Sequence, residues 1–132
     1  MIGVDTNVLV RYVVRDDERQ YAAAAEVLES FTEDDPGFVT QVVLAELSWV
    51  LARAYRYPAA GRLAVIRGLV ATASLEFDDA EGLVRALELA EGGADFGDAL
   101  VQGAMELFGV RETVTFDRGA ARQMGWRLLG SS

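Results

Sequence analysis

Short apolar runs alternate along the chain with longer segments in which apolar residues recur every three or four positions. The short runs are typical of buried strands, and the longer segments are typical of helices with one apolar stripe. The predicted strands are Ile2–Asp5, Phe38–Thr40, Ser74–Phe77, Glu112–Phe116 and Trp126–Leu129.

Helical patterns fill the intervals between these strands. Thr40 is placed to cap a helix from Gln41 to about Tyr55, which ends there because the residue before Pro58 disfavours helical geometry. Strands separated by helices favour a parallel sheet with right-handed crossovers and helices on both faces. We therefore expect an α/β fold in a single domain, residues 1–132, with a central parallel sheet of about five strands.

The composition is that of a folded protein without a membrane segment. Of the 132 residues, 52% are hydrophobic and 2 are proline, which suits one domain with a sizeable core. No apolar run approaches the length that crosses a bilayer, and no basic leader precedes the first apolar stretch. These features predict a cytoplasmic protein with no membrane partner.

The residue types that are absent narrow the chemistry. With Cys and His both at 0, thiol nucleophiles, imidazole bases and their metal sites are excluded. All 12 basic residues are arginines, so the chain also lacks a lysine for Schiff-base or P-loop chemistry. Hydrolysis would have to use carboxylates, hydroxyls or a metal ion held by oxygen.

The formal net charge of -9 bears on the choice of partner. A protein that binds nucleic acid through bulk charge should be basic, because affinity for phosphates depends on counterion release. This argument against a nucleic-acid partner weakens if several acids share a site with divalent cations.

Acidic residues follow the predicted strands. Asp5 ends the first strand, Asp117 follows another, and Asp95 and Asp98 lie at the start of a helix. In parallel sheets, ligands bind beyond the carboxyl ends of the strands, so these acids are expected to converge. The alternative for Asp5 and Asp95 is helix capping, because Asp is a favoured N-cap residue.

Glu46 lies within an apolar stripe of the helix that starts at Gln41. Its neighbours three and four positions away are Val42, Val43, Trp49 and Val50, so we expect it to be buried against the sheet. A buried carboxylate is costly unless it is neutralised or binds a cation. The alternative is an ion pair with Arg11 or Arg53.

Acids crowded in one cleft need compensating positive charge. The expected group is Asp5, Glu46, Asp98 and Asp117, with Asp95 beside them. Mg²⁺ and Mn²⁺ prefer oxygen ligands and supply that compensation. An acidic cluster of this kind suits phosphodiester hydrolysis by metal-activated water.

Four segments, in order, carry a resemblance to a known family: "DTNVLVRYV", "TQVVLAELSWVL", "ADFGDAL" and "TFDRGAARQMGWRLL". They resemble a PIN-domain ribonuclease, and more narrowly the VapC-type toxins of type II toxin–antitoxin systems. The match extends over nearly the whole chain.

The resemblance implies roles for particular residues. Asp5, Glu46, Asp98 and Asp117 match the acidic quartet that holds Mg²⁺ or Mn²⁺, and Asp95 matches an additional, peripheral acid. Polar neighbours of these acids are expected to orient them, namely Thr6, Asn7 and Thr115. The resemblance also implies a homodimer, an RNA substrate that is often transfer RNA, and a VapB-like antitoxin.

Weaker expectations concern RNA and the antitoxin. Arg118 and Arg15 are candidates for binding RNA phosphates, although a solvated surface arginine is the alternative for each. An apolar groove is expected to receive an antitoxin helix. Apolar residues that could contribute, or belong instead to the core, are Tyr12, Trp49, Val50 and Tyr55.

Three other functions are compatible with parts of the sequence. A metal-dependent phosphatase would use Asp5 as a nucleophile, but Asn7 stands where that class has a second aspartate. A receiver-like signalling domain would need a lysine, and Asp16 and Asp17 follow a helix rather than a strand. The third is a non-catalytic PIN-like binding module.

Overall fold

All strand pairs are parallel within residues 1–130, the part of the chain that the computed structural model describes. The strands are β1 (Ile2–Gly3), β2 (Gly37–Val39), β3 (Leu75–Phe77), β4 (Val114–Thr115) and β5 (Arg127–Leu128). The helices are α1 (Thr6–Val14), α2 (Glu18–Ser30), α3 (Gln41–Arg53), α4 (Ala59–Val70), α5 (Ala80–Glu91), α6 (Phe96–Leu107) and α7 (Arg118–Met124). The predicted α/β fold class is confirmed.

The strands form two sheets. The first has three strands in the order β1-β2-β3, with Ile2 opposite Gly37 and Gly37 opposite Leu75. The second contains β4 and β5, with Val114 opposite Arg127. The five expected strands are therefore present in parallel pairs, but they are divided between two sheets within residues 1–130.

Four of the five strands within residues 1–130 are shorter than their apolar runs predict, and β2 keeps the predicted length but begins one residue earlier. Asp5, Thr40 and Asp117 were assigned to strand ends or to positions beside them, and each is the N-cap residue of the following helix. An N-cap residue has extended backbone geometry, yet its side chain bonds to the helix amides. The apolar pattern therefore continues past the last residue that pairs with a neighbouring strand.

The chain divides into two compact units, Met1–Asp79 and Ala80–Ser132. In the first unit, α1, α3 and α4 bury their leucine and isoleucine side chains around the first sheet. The fully buried side chains there are Leu9, Val39, Leu44, Leu47, Leu51 and Ile66. Burying a side chain of this size stabilises a fold by about 1.5–3 kcal/mol, so these buried side chains provide most of the stability of the unit.

Gly37 allows β2 to pass beneath the end of α2. A Cβ atom at this position would lie 2.4 Å from the ring of Phe31 and 2.9 Å from the side chain of Leu75. Because both side chains are buried, neither can move aside cheaply. The turn "TEDDPG" thus ends on the residue that the packing requires.

The second unit is organised by α5 and α6. Leu83, Ala86 and Ala99 are fully buried in this unit. A Cβ atom on Gly103 would lie 3.1 Å from the carbonyl oxygen of Gly82, so the two helix backbones approach closely where they cross. This pair of helices fixes the position of the N-terminal end of α6, which carries Asp95 and Asp98.

Candidate active site

Asp5 begins α1 immediately after β1. Its Oδ1 accepts a hydrogen bond of 2.8 Å from the amide of Thr6, and the residue is exposed. The capping alternative is therefore correct for one carboxylate oxygen. Since a carboxylate has two oxygens, capping leaves Oδ2 free to act as a ligand.

Thr6 connects Asp5 to Glu46. Its side chain is buried, with 7% exposure, and its Oγ1 donates a hydrogen bond of 3.3 Å to Oε1 of Glu46. This bond joins α1 to α3 across 40 positions of sequence. The expected orienting role of Thr6 has a structural counterpart in the first unit, because the hydroxyl fixes one oxygen of Glu46.

Glu46 is exposed, so its predicted burial was wrong. The buried stripe of α3 consists of Leu44, Leu47 and Leu51, whereas Val42 and Trp49 are 69% and 61% exposed. Two apolar stripes run along this helix, and the sequence pattern does not show which of them packs inward. The carboxylate therefore lies on the outer stripe, where its charge remains solvated.

Glu46 forms no ion pair with an arginine within residues 1–130. The two candidate partners are occupied elsewhere: Arg11 donates to Asp16 at 2.9 Å, and the guanidinium of Arg53 lies over the ring of Trp49. Asn7 is exposed beside α2, and within residues 1–130 it forms no hydrogen bond with Asp5 or Glu46. Its role as an orienting residue stays a prediction.

Asp95 and Asp98 lie at the start of α6 in the second unit. Asp95 is the N-cap residue, and its Oδ1 accepts a hydrogen bond of 3.0 Å from the amide of Asp98. Gly93 precedes them with a φ of 107°, a backbone conformation that favours glycine. The "EGGADFGDAL" segment thus turns into a helix whose first turn presents both carboxylates.

Asp117 begins α7 in the same way. Its Oδ1 accepts a hydrogen bond of 3.0 Å from the amide of Ala120, and its own amide donates to Oγ1 of Thr115 at 3.0 Å. Thr115 therefore fixes the backbone turn before Asp117 rather than the carboxylate itself. A role of Thr115 in orienting the acid stays a prediction.

Asp95, Asp98 and Asp117 line one open pocket in the second unit. Its other lining residues are Gly93, Gly119, Ala120 and Gln123. Burial raises the pKa of Asp98 above its usual range, and the negative charges of Asp95 and Asp117 raise it further. The pocket therefore disfavours a third negative charge when no cation is present.

The donor chemistry of the pocket fits a hard divalent cation. Carboxylate oxygens are the ligands that Mg²⁺ and Mn²⁺ prefer, and small residues leave room beside them. Among residues 1–130, however, no three acids lie as close together as ligands of one metal ion. The three carboxylates therefore repel one another, but they lie farther apart than the ligands around a single metal ion.

The two arginines proposed for RNA binding differ in their surroundings. Arg15 binds Glu18 through two hydrogen bonds of 3.1 and 3.3 Å, and its guanidinium lies 4.0 Å from the ring centroid of Tyr21. Arg118 is exposed directly after Asp117. A role in RNA binding stays a prediction for both, and for Arg15 it would require breaking existing contacts.

The strand-end pattern also includes an acid that the sequence analysis did not single out. Asp78 follows β3, and its Oδ1 accepts a hydrogen bond of 2.9 Å from the amide of Gln41 at the start of α3. Its position directly after a strand was the available signal. Asp78 completes the capping of α3 together with Thr40 and so helps to fix the helix that carries Glu46.

An α/β fold with parallel strands and acidic side chains after the strands is compatible with hydrolysis assisted by a metal ion. The family comparison is more specific, because a PIN domain model matches residues 2–125. The chain belongs to the PIN domain family, whose members are generally metal-dependent nucleases. A sequence comparison with curated proteins finds no match. No helix in the described residues is long and apolar enough to span a bilayer.

Proposed function

We propose that this protein is a Mg²⁺- or Mn²⁺-dependent endoribonuclease that acts as the toxin of a toxin–antitoxin pair. The observation that carries the proposal is the crowding of Asp95, Asp98 and Asp117 in one pocket of a PIN domain. Each of these acids begins or adjoins the start of a helix, where the helix dipole favours negative charge. A cation in the pocket would relieve the repulsion that raises the pKa of Asp98.

We assign the metal to Asp5, Glu46, Asp98 and Asp117, with Asp95 as a peripheral acid. The support for Asp5 and Glu46 is their connection through Thr6 and the free second oxygen of each carboxylate. When bound, the divalent ion supplies an activated water and compensates the charge that develops on the phosphate.

The residues of the chain orient the carboxylates and accept the proton of the attacking water. Thr6 holds Oε1 of Glu46, and the carboxylates that surround the attacking water would accept its proton. The water oxygen then bonds to phosphorus, and the bond from phosphorus to the 3′-oxygen breaks. The products would carry a 5′-phosphate and a 3′-hydroxyl, and solvent protonates the departing oxygen.

The charge and surface of the chain support the partners that we propose. A net charge of -9 favours a basic VapB-like antitoxin, because opposite charges attract the two chains to one another. We propose that a groove between α1 and α2, lined in part by apolar side chains, receives a helix of that partner. Its lining residues are Asn7, Val8, Arg11, Gln20, Ala23, Ala24 and Val27. We also propose a cytoplasmic homodimer with transfer RNA as one candidate substrate.

The receiver-like alternative receives no support from Asp16 and Asp17. Asp17 caps α2 by accepting a hydrogen bond from Gln20, and Asp16 binds Arg11 and Tyr55. Both acids are thus engaged in holding the loop between α1 and α2. The phosphatase and the non-catalytic alternatives are distinguished by the assay below.

The test is cleavage of total RNA by the purified protein with Mg²⁺, with Mn²⁺ and with chelator. We expect metal-dependent cleavage, and a loss of about 10²- to 10⁴-fold in Asp5→Asn and Asp98→Asn, because each change removes a proposed ligand and proton acceptor. Asp34→Asn is the matched control, since it removes one charge from the exposed turn before β2.

Sequencing the new 5′ ends would locate the cleaved bonds. Metal-independent cutting, or equal cutting by the wild type and Asp98→Asn, would contradict the proposed site. Hydrolysis of phosphate monoesters without any RNA cleavage would favour the phosphatase. Binding of RNA without cleavage of any bond would favour a non-catalytic module.

A further inference from the structure

The outer face of α3 carries large exposed side chains on both sides of Glu46. Val42, Glu46, Trp49 and Arg53 follow one another at intervals of four, three and four residues, which places them on one side of the helix. Val42 is 69% and Trp49 61% exposed. An exposed tryptophan one turn from a proposed catalytic carboxylate is in position to contact the substrate.

Arg53 adds a cation to this face. Its guanidinium carbon lies 5.7 Å from the centroid of the Trp49 ring, close enough for a cation–π interaction. Within residues 1–130, neither Arg53 nor Arg56 forms an ion pair with an acid, and both are exposed. The end of α3 and the residues just after it therefore present two exposed guanidinium groups to solvent.

We infer that Trp49 is a stacking platform for an unpaired RNA base and that Arg53 binds the phosphate beside that base. An aromatic face and a guanidinium together match the two chemical features of every nucleotide in a single strand. The helix places Trp49 three residues, or about 4.5 Å along the axis, beyond Glu46, so the stacked base would flank the phosphate to be cleaved. This inference rests on the proposed nuclease function and assigns contacts with the substrate to Trp49 and Arg53.

A second copy of this chain is the main competing occupant of the face. The core of a stable subunit interface is depleted of charged residues. Here Glu46 lies between Val42 and Trp49, and Arg53 continues the same stripe. Burying Glu46 in a subunit contact would leave its carboxylate desolvated, whereas RNA and its metal ions would compensate it. The charge pattern therefore favours RNA.

Stacking can be measured through the fluorescence of Trp49. The chain has 2 tryptophans, and Trp126 is half-buried and donates to Gln102, so Trp126→Phe isolates the signal of Trp49. Asp5→Asn is added to prevent cleavage. The probes are a single-stranded RNA dodecamer of mixed sequence, the same dodecamer as a duplex, and an abasic ribose-phosphate dodecamer. We expect quenching by the single strand, and little or none by the duplex or the abasic chain.

Cleavage kinetics on the single-stranded dodecamer provide the second readout. We expect Trp49→Ala to raise KM by about 10- to 100-fold, since stacking of one base contributes that much binding, and Trp49→Phe to retain most of it. Arg53→Ala should raise KM by about 3- to 10-fold, the effect of one lost phosphate contact at a partly screened surface. Phe108→Ala is the matched control, because Phe108 is exposed at the far end of α6 from Asp95 and Asp98.

The possible failures are distinguishable. A wild type that cleaves RNA, with unchanged KM in Trp49→Ala and no quenching, overturns the platform and leaves the nuclease intact. A shift of Trp49→Ala from dimer to monomer in sedimentation identifies the face as a subunit contact and also overturns it. If the wild type neither cleaves nor binds RNA under any metal condition, the platform and the proposed function fail together.

Discussion

The acids of the first unit and those of the second differ in how they are held. Asp5 and Glu46 are connected by hydrogen bonds through Thr6, and Glu46 remains solvated. Asp95, Asp98 and Asp117 line one pocket, where burial and mutual repulsion raise the pKa of Asp98. The first group is arranged by the protein itself. The second group carries a charge conflict that a cation would resolve.

In both groups, helix capping uses one oxygen of the carboxylate, so capping need not compete with metal binding. Asp5, Asp95 and Asp117 are all N-cap residues whose Oδ1 accepts an amide hydrogen bond. In each case the cap fixes the carboxylate through Oδ1, and Oδ2 takes no part in the cap. A strand that ends in a capping aspartate therefore places a ligand oxygen with little conformational freedom left to lose.

Removing the hydrogen bond that connects Thr6 to Glu46 should have the largest effect in the first group. Thr6→Val keeps the shape of the side chain but removes the hydroxyl that donates to Glu46. We expect cleavage of RNA to fall by about 10- to 100-fold, the usual consequence of losing a residue that orients a metal ligand. Cleavage rates with saturating Mg²⁺ measure the effect.

Thr6→Ser is the control, because serine keeps the hydroxyl and should retain most of the activity. Circular dichroism would establish that both variants are folded. If Thr6→Val cleaves RNA as fast as the wild type, the hydrogen bond does not position Glu46 for catalysis.

The charge conflict in the second group should appear in the stability of the metal-free protein. Because the pKa of Asp98 is raised in the folded state, the unfolded chain loses this proton first as the pH rises, and the free energy of unfolding falls. Asp98→Asn has no proton to lose. Its melting temperature should match that of the wild type in acid and exceed it at neutral pH.

Thermal melts in chelator, from about pH 3 to 7, test this prediction across the range in which carboxyl groups titrate. Added Mg²⁺ should reverse the order, because only the wild type keeps the ligand. A neutral-pH melting temperature of Asp98→Asn below that of the metal-free wild type would show that Asp98 carries no charge conflict.

The smallest expected effect is a lower melting temperature at neutral pH, and it comes from a change at Asp16 in the first unit. Desolvation alone would raise the pKa of Asp16, but hydrogen bonds from Tyr55 and Arg11 outweigh it and lower the pKa. Asp16 therefore stabilises the fold above the pKa of the unfolded chain, and this contribution is lost as the pH falls through the folded pKa. Asp16→Asn should melt below the wild type at neutral pH and equally in acid.

The same melts distinguish the two acids, since Asp98→Asn and Asp16→Asn should shift the neutral-pH melting temperature in opposite directions. Tyr55→Phe, which removes one of the two hydrogen bonds to Asp16, should give part of the effect. Equal shifts of the melting temperature for both asparagine variants would contradict the opposite electrostatic environments of Asp98 and Asp16.

The sequence predicts the positions of the acids better than it predicts their environment. Asp5 and Asp117 were found because a strand that turns into a helix leaves a local pattern of apolar and capping residues. The exposure of Glu46 was not predictable from that pattern, because α3 has two apolar stripes and tertiary packing selects Leu44, Leu47 and Leu51. Local sequence defines a helix, but the inward face depends on the whole fold.

Contacts between distant positions were also beyond the sequence. The hydrogen bond from Thr6 to Glu46 and the bond from Gln41 to Asp78 join residues 40 and 37 positions apart. Neither partner carries a local signal for the other. The family resemblance marked Thr6 as an orienting residue, and only the structure shows which carboxylate it holds.

The proposed function depends on one divalent cation held by Asp5, Glu46, Asp98 and Asp117. Titration of the metal-free protein with Mn²⁺, followed by the electron paramagnetic resonance of free Mn²⁺, tests it directly, with Asp34→Asn as the control. We predict that Asp5→Asn and Asp98→Asn each weaken binding about tenfold or more, because both remove a ligand of the same ion. Wild-type affinity in Asp5→Asn alongside lost binding in Asp98→Asn would contradict the claim.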